Sequence, residues 1–177
     1  MSILKVARLG NPVLRRVAEE IAPDQIGSPE LQQLIDHMIE TMMEYDGVGM
    51  AAAQVHVPQQ VAVLEVADNP RYPQKPKVPL SVLVNPKITP VSEEIEEDWE
   101  GCLSIVELRG KVPRYKSIRV KALDRNGKRL DFTAIGFHAR VIQHEWDHLN
   151  GRVFLDRMAD LSTLTYLQEF ARYWVDK

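Results

Sequence analysis

His144 and His148 stand four residues apart, with Glu145 directly after the first, in Gln143-His144-Glu145-Trp146-Asp147-His148. On a helix, residues i and i+4 lie about 40° apart around the axis, so both imidazoles share one face and can grip one ion. Glu145 sits a further ~100° round. That is too displaced for a third ligand, but well placed to reach a water beside the ion. Val141 and Leu149 supply apolar positions for such a helix, and Asn150-Gly151 reads as its C-terminal stop. The bland alternative is an amphipathic helix carrying two unremarkable histidines. A metal held by two imidazoles needs a third protein ligand, and the chain has one cysteine, Cys102, in Glu100-Gly101-Cys102-Leu103-Ser104. A lone cysteine serves either as a small buried apolar residue or as such a ligand. A third segment, Gly47-Val48-Gly49-Met50-Ala51-Ala52-Ala53-Gln54, combines glycines that let another backbone approach with one amide able to donate or accept. It matches neither phosphate-binding glycine fingerprint, which argues against nucleotide binding.

The elements that must position these groups can be read from hydrophobic period and punctuation. Residues 1–27 form an irregular arm with turns at Gly10-Asn11-Pro12 and Pro23, and with Leu4, Val6, Leu9, Val13, Leu14 and Val17 as packing residues. Ser28-Pro29-Glu30 is a helix start. Leu31, Leu34, Ile35, Met38, Ile39, Met42 and Met43 continue at helical spacing to Tyr45, a core stripe rather than a methionine-lined binding surface. Val61–Val66 and Ser81–Val84 are β-branched runs read as strands. Between them, Pro70, Pro73, Pro76 and Pro79 recur every third residue, as on a polyproline II face, here read as a stiff surface insertion. Residues 88–98 read as further strand and turn, with an acidic cluster from Glu93 to Asp98 on a solvated edge. Ile118 and Val120 alternate with Arg119 and Lys121, Asp124-Arg125-Asn126-Gly127 is a hairpin turn, and Leu130 and Phe132 carry the return strand into the histidine helix. Leu161 to Val175 is expected as a last amphipathic helix packed on the sheet.

Composition narrows the classes. The 177 residues suit one domain, 1–177, without disulfides, and a net charge of −3 offers no field for nucleic acid or anionic membrane. No apolar run reaches the ~18 residues of a membrane span, and Met1-Ser2-Ile3-Leu4-Lys5 leads into no secretory or transit pattern, so a cytoplasmic location is expected.

The three segments together, in order and spacing, resemble the motifs of the peptide deformylases, and the similarity runs from the N-terminal arm to the C-terminal helix. The lack of a large insertion between the first helix and the glycine segment looks like the type I branch. The resemblance implies an α+β fold, with antiparallel β-sheets around a central metal-binding helix, a long N-terminal helix and a C-terminal helix. It implies that Cys102, His144 and His148 hold one divalent metal ion, Fe(II) in the cell, with Zn, Ni or Co in preparations. It further implies that Glu145 is the general base, and that the Leu103 backbone N–H and the Gln54 side chain donate to the developing oxyanion. The substrate would be N-formylmethionyl nascent peptides, with formate released. Gly47, Gly49, Glu100 and Gly101 would lie along the substrate, and Arg109 would steady its carbonyls. Val48, Phe137, Val141, His144 and the stem of Arg140 would form the methionine pocket, and Glu100 is expected to pair with Arg114. An enzyme of nascent chains suggests ribosome docking, yet Glu169 and Asp176 offset Arg172 and Lys177, so the last helix carries no basic footprint.

Two positions depart from the usual pattern: Val106 stands where the family commonly has proline, and Ala53 where it has proline or threonine. Two rival readings remain. An H-E-x-x-H endopeptidase would take a third ligand downstream, where Asp156 and Asp160 are available. A non-catalytic metal module would fill the fourth coordination position with a side chain.

Overall fold

The computed structural model describes residues 2–67 and 74–175. Helix α1, Pro29–Glu44, starts where the sequence indicates: Ser28 Oγ accepts from Leu31 N–H at 3.3 Å and proline fills the first helical position. Leu31, Ile35, Met38 and Met42 are buried, so the stripe is core up to Met42, whereas Met43, expected on it, is 50% exposed.

The strands are β1 (Gly49–Ala51), β2 (Val61–Val66), β3 (Val78–Pro90), β4 (Ile95–Cys102), β5 (Ile105–Tyr115), β6 (Ser117–Leu123), β7 (Arg129–Ile135) and β8 (Thr165–Tyr166). Helix α2 is Gly136–Leu149 and α3 is Leu167–Tyr173. All pairings are antiparallel and form two sheets among the described residues, β1-β2-β3-β6-β7 and β4-β5-β8. The fold is α+β.

The larger sheet is covered on both faces. Val61 and Val63 point with Val82 and Val84 into the cluster beneath α1, whereas Leu64, Val66, Ile118 and Val120 pack with Phe137, Val141 and Ile142 of α2. Two buried faces explain why β2 reads as a continuous apolar run rather than an alternating one. The other side of α2 meets the smaller sheet and its neighbours through Cys102, Ile105, Val112, Val153 and Phe154. The histidine helix thus lies between two sheets, which is why ten of its fourteen residues are buried, Arg140, Gln143, Glu145 and Asp147 among them.

Helix α2 ends in a Schellman arrangement: Arg152 N–H donates to Asp147 O at 2.9 Å and Gly151 N–H to His148 O at 3.2 Å. Gly151 has φ +69°, and a Cβ there would lie 2.7 Å from Arg15 O, so the position requires glycine.

Several expectations need correction. Leu9 and Val17 of the arm are 45% and 68% exposed, unlike buried Val6, Val13 and Leu14. Residues 49–51 of the glycine segment are a strand paired with Leu64, Val63 and Ala62, followed by a 3-10 turn, Ala52–Val55. Cross-strand pairing to β2 overrides the weak strand preference of glycine and alanine. The C-terminal helix is shorter than the pattern suggests. Leu108 and Arg109 of β5 pair with Tyr166 and Thr165 and hold that stretch extended, which leaves seven residues for α3. The helix packs through Phe170 and Trp174, whose rings lie 4.8 and 5.2 Å from that of Trp99. Part of the acidic cluster lies on β4, an outer strand of the smaller sheet, as the edge reading requires. Of the proline series, Pro70 and Pro73 fall outside the described residues and Pro79 belongs to β3.

Candidate metal centre

Cys102 closes β4, beside the register shift that turns the strand back as β5, and its side chain points at α2. His144 and His148 leave one face of α2. The three ligand atoms lie within 4.8 Å of one another, and Cys102 Sγ is 3.2 Å from His148 Nε2. Cys102 and His148 are buried, and the His144 side chain is 11% exposed.

The charge states suit this cluster to a divalent cation. Burial pushes the Cys102 thiol up, but the imidazoles of His148 and His144 outweigh it and hold the sulfur well below the ordinary thiol range. Gln54 Nε2, 3.6 Å from that sulfur, and Ser104 N–H, 3.4 Å away, donate to it as well. Glu100 fixes His144. Its Oε2 lies 2.9 Å from His144 Nδ1, and an ionised carboxylate only accepts, so Nδ1 carries the proton and Nε2 is left for the cluster. Glu100 is itself held ionised. Burial raises its pKa, but Arg114, bidentate at 2.9 and 3.0 Å, together with His144 brings it far below the usual carboxylate range. Arg140 Nη1 adds a further contact to Glu100 at 2.9 Å, and Asp147 accepts from Arg114 and Arg157.

Glu145 behaves in the opposite way. It is buried, its Oε2 has no hydrogen-bond partner, and burial pushes its carboxyl up to about 7. Its Oε1 and the Gly49 backbone crowd one another: a Cβ on residue 49 would stand 2.4 Å from that oxygen. Glycine at 49 is what lets the carboxylate reach the cleft. Gln54 is held from both ends, its Oε1 accepting from Ala51 N–H at 2.9 Å and its Nε2 donating to Ser104 Oγ at 3.1 Å.

Residues 3–163 match the family model described as polypeptide deformylase. The chain belongs to that family. Peptide deformylase 1 of Nitrosomonas europaea is 47% identical over 93% of this chain and 92% of its own length. The class I type b peptide deformylase of Acinetobacter baumannii, in its crystal structure with Met-Ala-Ser bound, aligns with a TM-score of 0.86 at 40% identity, over 89% of this chain and 99% of that one. The peptide deformylase of Thermotoga maritima aligns at 0.79 and 36% identity, over 90% of this chain and 100% of that one.

In this chain, Gly47, Val48, Gly49 and Gln54 from the β1 region, Glu100 to Leu103 from the end of β4, and Phe137, Arg140, Val141, His144 and Glu145 from α2 line one narrow cleft. His148 lies beneath it, fully buried. Arg109 lies outside that lining: it packs behind Gly101, with its guanidinium 5.8 Å from the Phe170 ring. The head of Arg140 also turns away from the pocket, onto Glu100 and the carbonyls of Glu96 and Val112. Asp156 and Asp160, the downstream ligands an endopeptidase would use, are engaged instead by Arg15 with Val153 N–H and by Ser162. The sequence reading omitted Ser104, Trp99 and Asp147. A signal existed for Asp147, which stands one residue before His148 on a helix whose neighbouring faces are apolar. None existed for Trp99, whose place on the cleft wall depends on how β4 meets α2.

Proposed function

We propose a division of labour among these side chains for the reaction of the family, the metal-dependent hydrolysis of the N-formyl group from N-terminal formylmethionine of new polypeptides, releasing formate. Cys102, His144 and His148 would hold one divalent ion. When bound, it would supply Lewis acidity and lower the pKa of the attacking water. Glu145 takes the proton of the attacking water and passes it to the departing amine, so that the formyl C–N bond breaks as formate and the free methionine amine form. The Leu103 N–H and Gln54 Nε2 donate to the formyl oxygen as it gains charge. Val48, Phe137, Val141 and the stem of Arg140 form a narrow apolar slot for the unbranched methionine side chain, while Gly47, Gly49, Glu100 and Gly101 border the peptide.

The observation that carries this reading is Glu145: a buried carboxylate with one oxygen unpartnered, raised toward neutrality, next to a converging thiol and imidazole pair. A structural metal site has no use for such a group. The ligand set does not separate Fe from Zn, Ni or Co. We assign Fe(II) as the cellular ion, with the others able to replace it. Arg109 acts on the peptide only beyond the cleft, through its place behind Gly101. The whole of 1–177 would serve as one catalytic domain in the cytoplasm. No helix among the described residues is long and apolar enough to cross a membrane, which accords with that location. Ribosome docking fits an enzyme of nascent chains, though the sequence of the last helix, where Glu169 and Asp176 offset Arg172 and Lys177, offers no basic footprint for it.

The test is formate release from formyl-Met-Ala-Ser by enzyme reconstituted anaerobically with defined metals. Glu145→Gln should keep its metal and lose turnover by ~10²-fold or more. Full turnover in that variant with metal in place removes Glu145 from its role.

A further inference from the structure

The face of α2 turned away from the metal ligands borders a second cleft, of about 550 Å³. Trp146, two residues after His144 and so ~200° round the helix, forms part of its floor. Ile88, Ile95 and Pro113 from the strands make an apolar wall, and Ile95 is 57% exposed there. The charge of the lining is one-sided: Arg114, Arg152 and Arg157 stand against Asp147 alone. Arg114 is consumed by Glu100 and Asp147. Arg157 is also paired with Asp147, through Nε and Nη2, and only its Nη1 edge remains for a ligand, on a side chain 32% exposed. Arg152 is exposed with no side-chain hydrogen bond among the described residues, its charge reaching Asp156.

We propose that this cleft is a binding site for a small amphiphilic anion, with a carboxylate or phosphate head on Arg152 and Arg157 and an aliphatic body on Ile95, Pro113 and Trp146. The volume falls within the ~300–1,000 Å³ of small-molecule sites. The Arg152 guanidinium can pair with either head through parallel N–H donors, with Arg157 adding one donor from Nη1, and the apolar wall excludes a bare inorganic ion as the best ligand. The site shares no lining residue with the catalytic cleft. It does not depend on the reaction assigned there.

The test titrates the metal-loaded enzyme with octanoate and with octyl phosphate, following the Trp146 indole N–H resonance. Excess Met-Ala-Ser occupies the catalytic cleft, so that an anion cannot report from the metal. At least one amphiphile should give a saturable shift, and the tighter of the two identifies the head group. Octanol and inorganic phosphate, each lacking half of the ligand, should bind about tenfold or more weakly. Arg152→Glu and Ile95→Asp should each weaken binding by a similar factor with deformylation unchanged, and Arg152→Lys should retain part of it. No saturable shift with either amphiphile overturns the proposal. So does a shift that survives Arg152→Glu, or octanol binding as tightly as octanoate.

Discussion

Glu100→Gln probes the link between the buried charges and the metal site. In the folded protein this carboxylate accepts from Arg114 twice, from Arg140 and from His144. Glutamine keeps the shape but offers one acceptor oxygen and two N–H donors, so at least one guanidinium contact becomes donor against donor. Breaking a buried pair by removing one partner costs on the order of 3–5 kcal/mol. For a chain of this size that is roughly 6–20 °C in Tm, at about 2–4 °C per kcal/mol. Metal affinity should fall as well, by ~10–100-fold, because the group that orients His144 through Nδ1–H is weakened. The pH dependence gives a second check. The folded pKa of Glu100 is depressed, so its contribution is present above the unfolded carboxylate value and lost as pH falls through the folded one. The stability gap between wild type and variant should therefore stay constant from about pH 6 to 8 and close only in strong acid. Urea unfolding of the metal-loaded proteins across that range, with chelator competition at pH 7, measures both. Equal stability together with equal metal retention in Glu100→Gln would refute the reasoning.

Other perturbations separate packing from chemistry. Gly49→Ala places a Cβ 2.4 Å from Glu145 Oε1, so the carboxylate must move, and turnover should fall at least tenfold in formate-release assays while Tm changes little. Gly151→Ala meets both a positive φ and the Arg15 carbonyl, and should lose about 1–3 kcal/mol in urea unfolding without removing a ligand. Chelation should abolish activity and lower Tm, and titrating the ion back should restore both together, by about 2.7 kcal/mol at a hundredfold excess over Kd. In the chelated protein, Glu145→Gln should be neutral or stabilising at pH 8. The raised carboxyl contributes fully only below the unfolded carboxylate value, and its ionisation costs folding energy as pH rises through about 7.

The parts legible in the sequence are those set by local rules. The Ser28-Pro29 start of α1, the Asp124–Gly127 hairpin and the Gly151 stop each follow from the chemistry of a few adjacent residues, and each occurs where it is expected. The histidine pair also follows from a local period. What was not legible depends on partners distant in the chain. The Thr165–Tyr166 stretch lies between a turn and α3, and it becomes a strand only because β5 offers it an edge. Gly49–Ala51 becomes a strand because β2 lies alongside.

The same distinction governs Arg140. As a member of α2 it falls on the face expected to line the methionine slot, and its stem does so. Its head, however, answers to a demand that no local pattern reveals. Glu100 and the Val112 carbonyl of β5 are buried where the smaller sheet meets the helix, beside the part-buried Glu96 carbonyl of β4, and each takes a donor from that head. An apolar residue at 140 would leave the buried Val112 carbonyl without this donor, a cost of about 1–3 kcal/mol, while the part-buried Glu96 carbonyl could turn to water. The arginine is therefore placed by the packing of two distant strands on α2. Through Glu100, the same packing fixes the ring of His144.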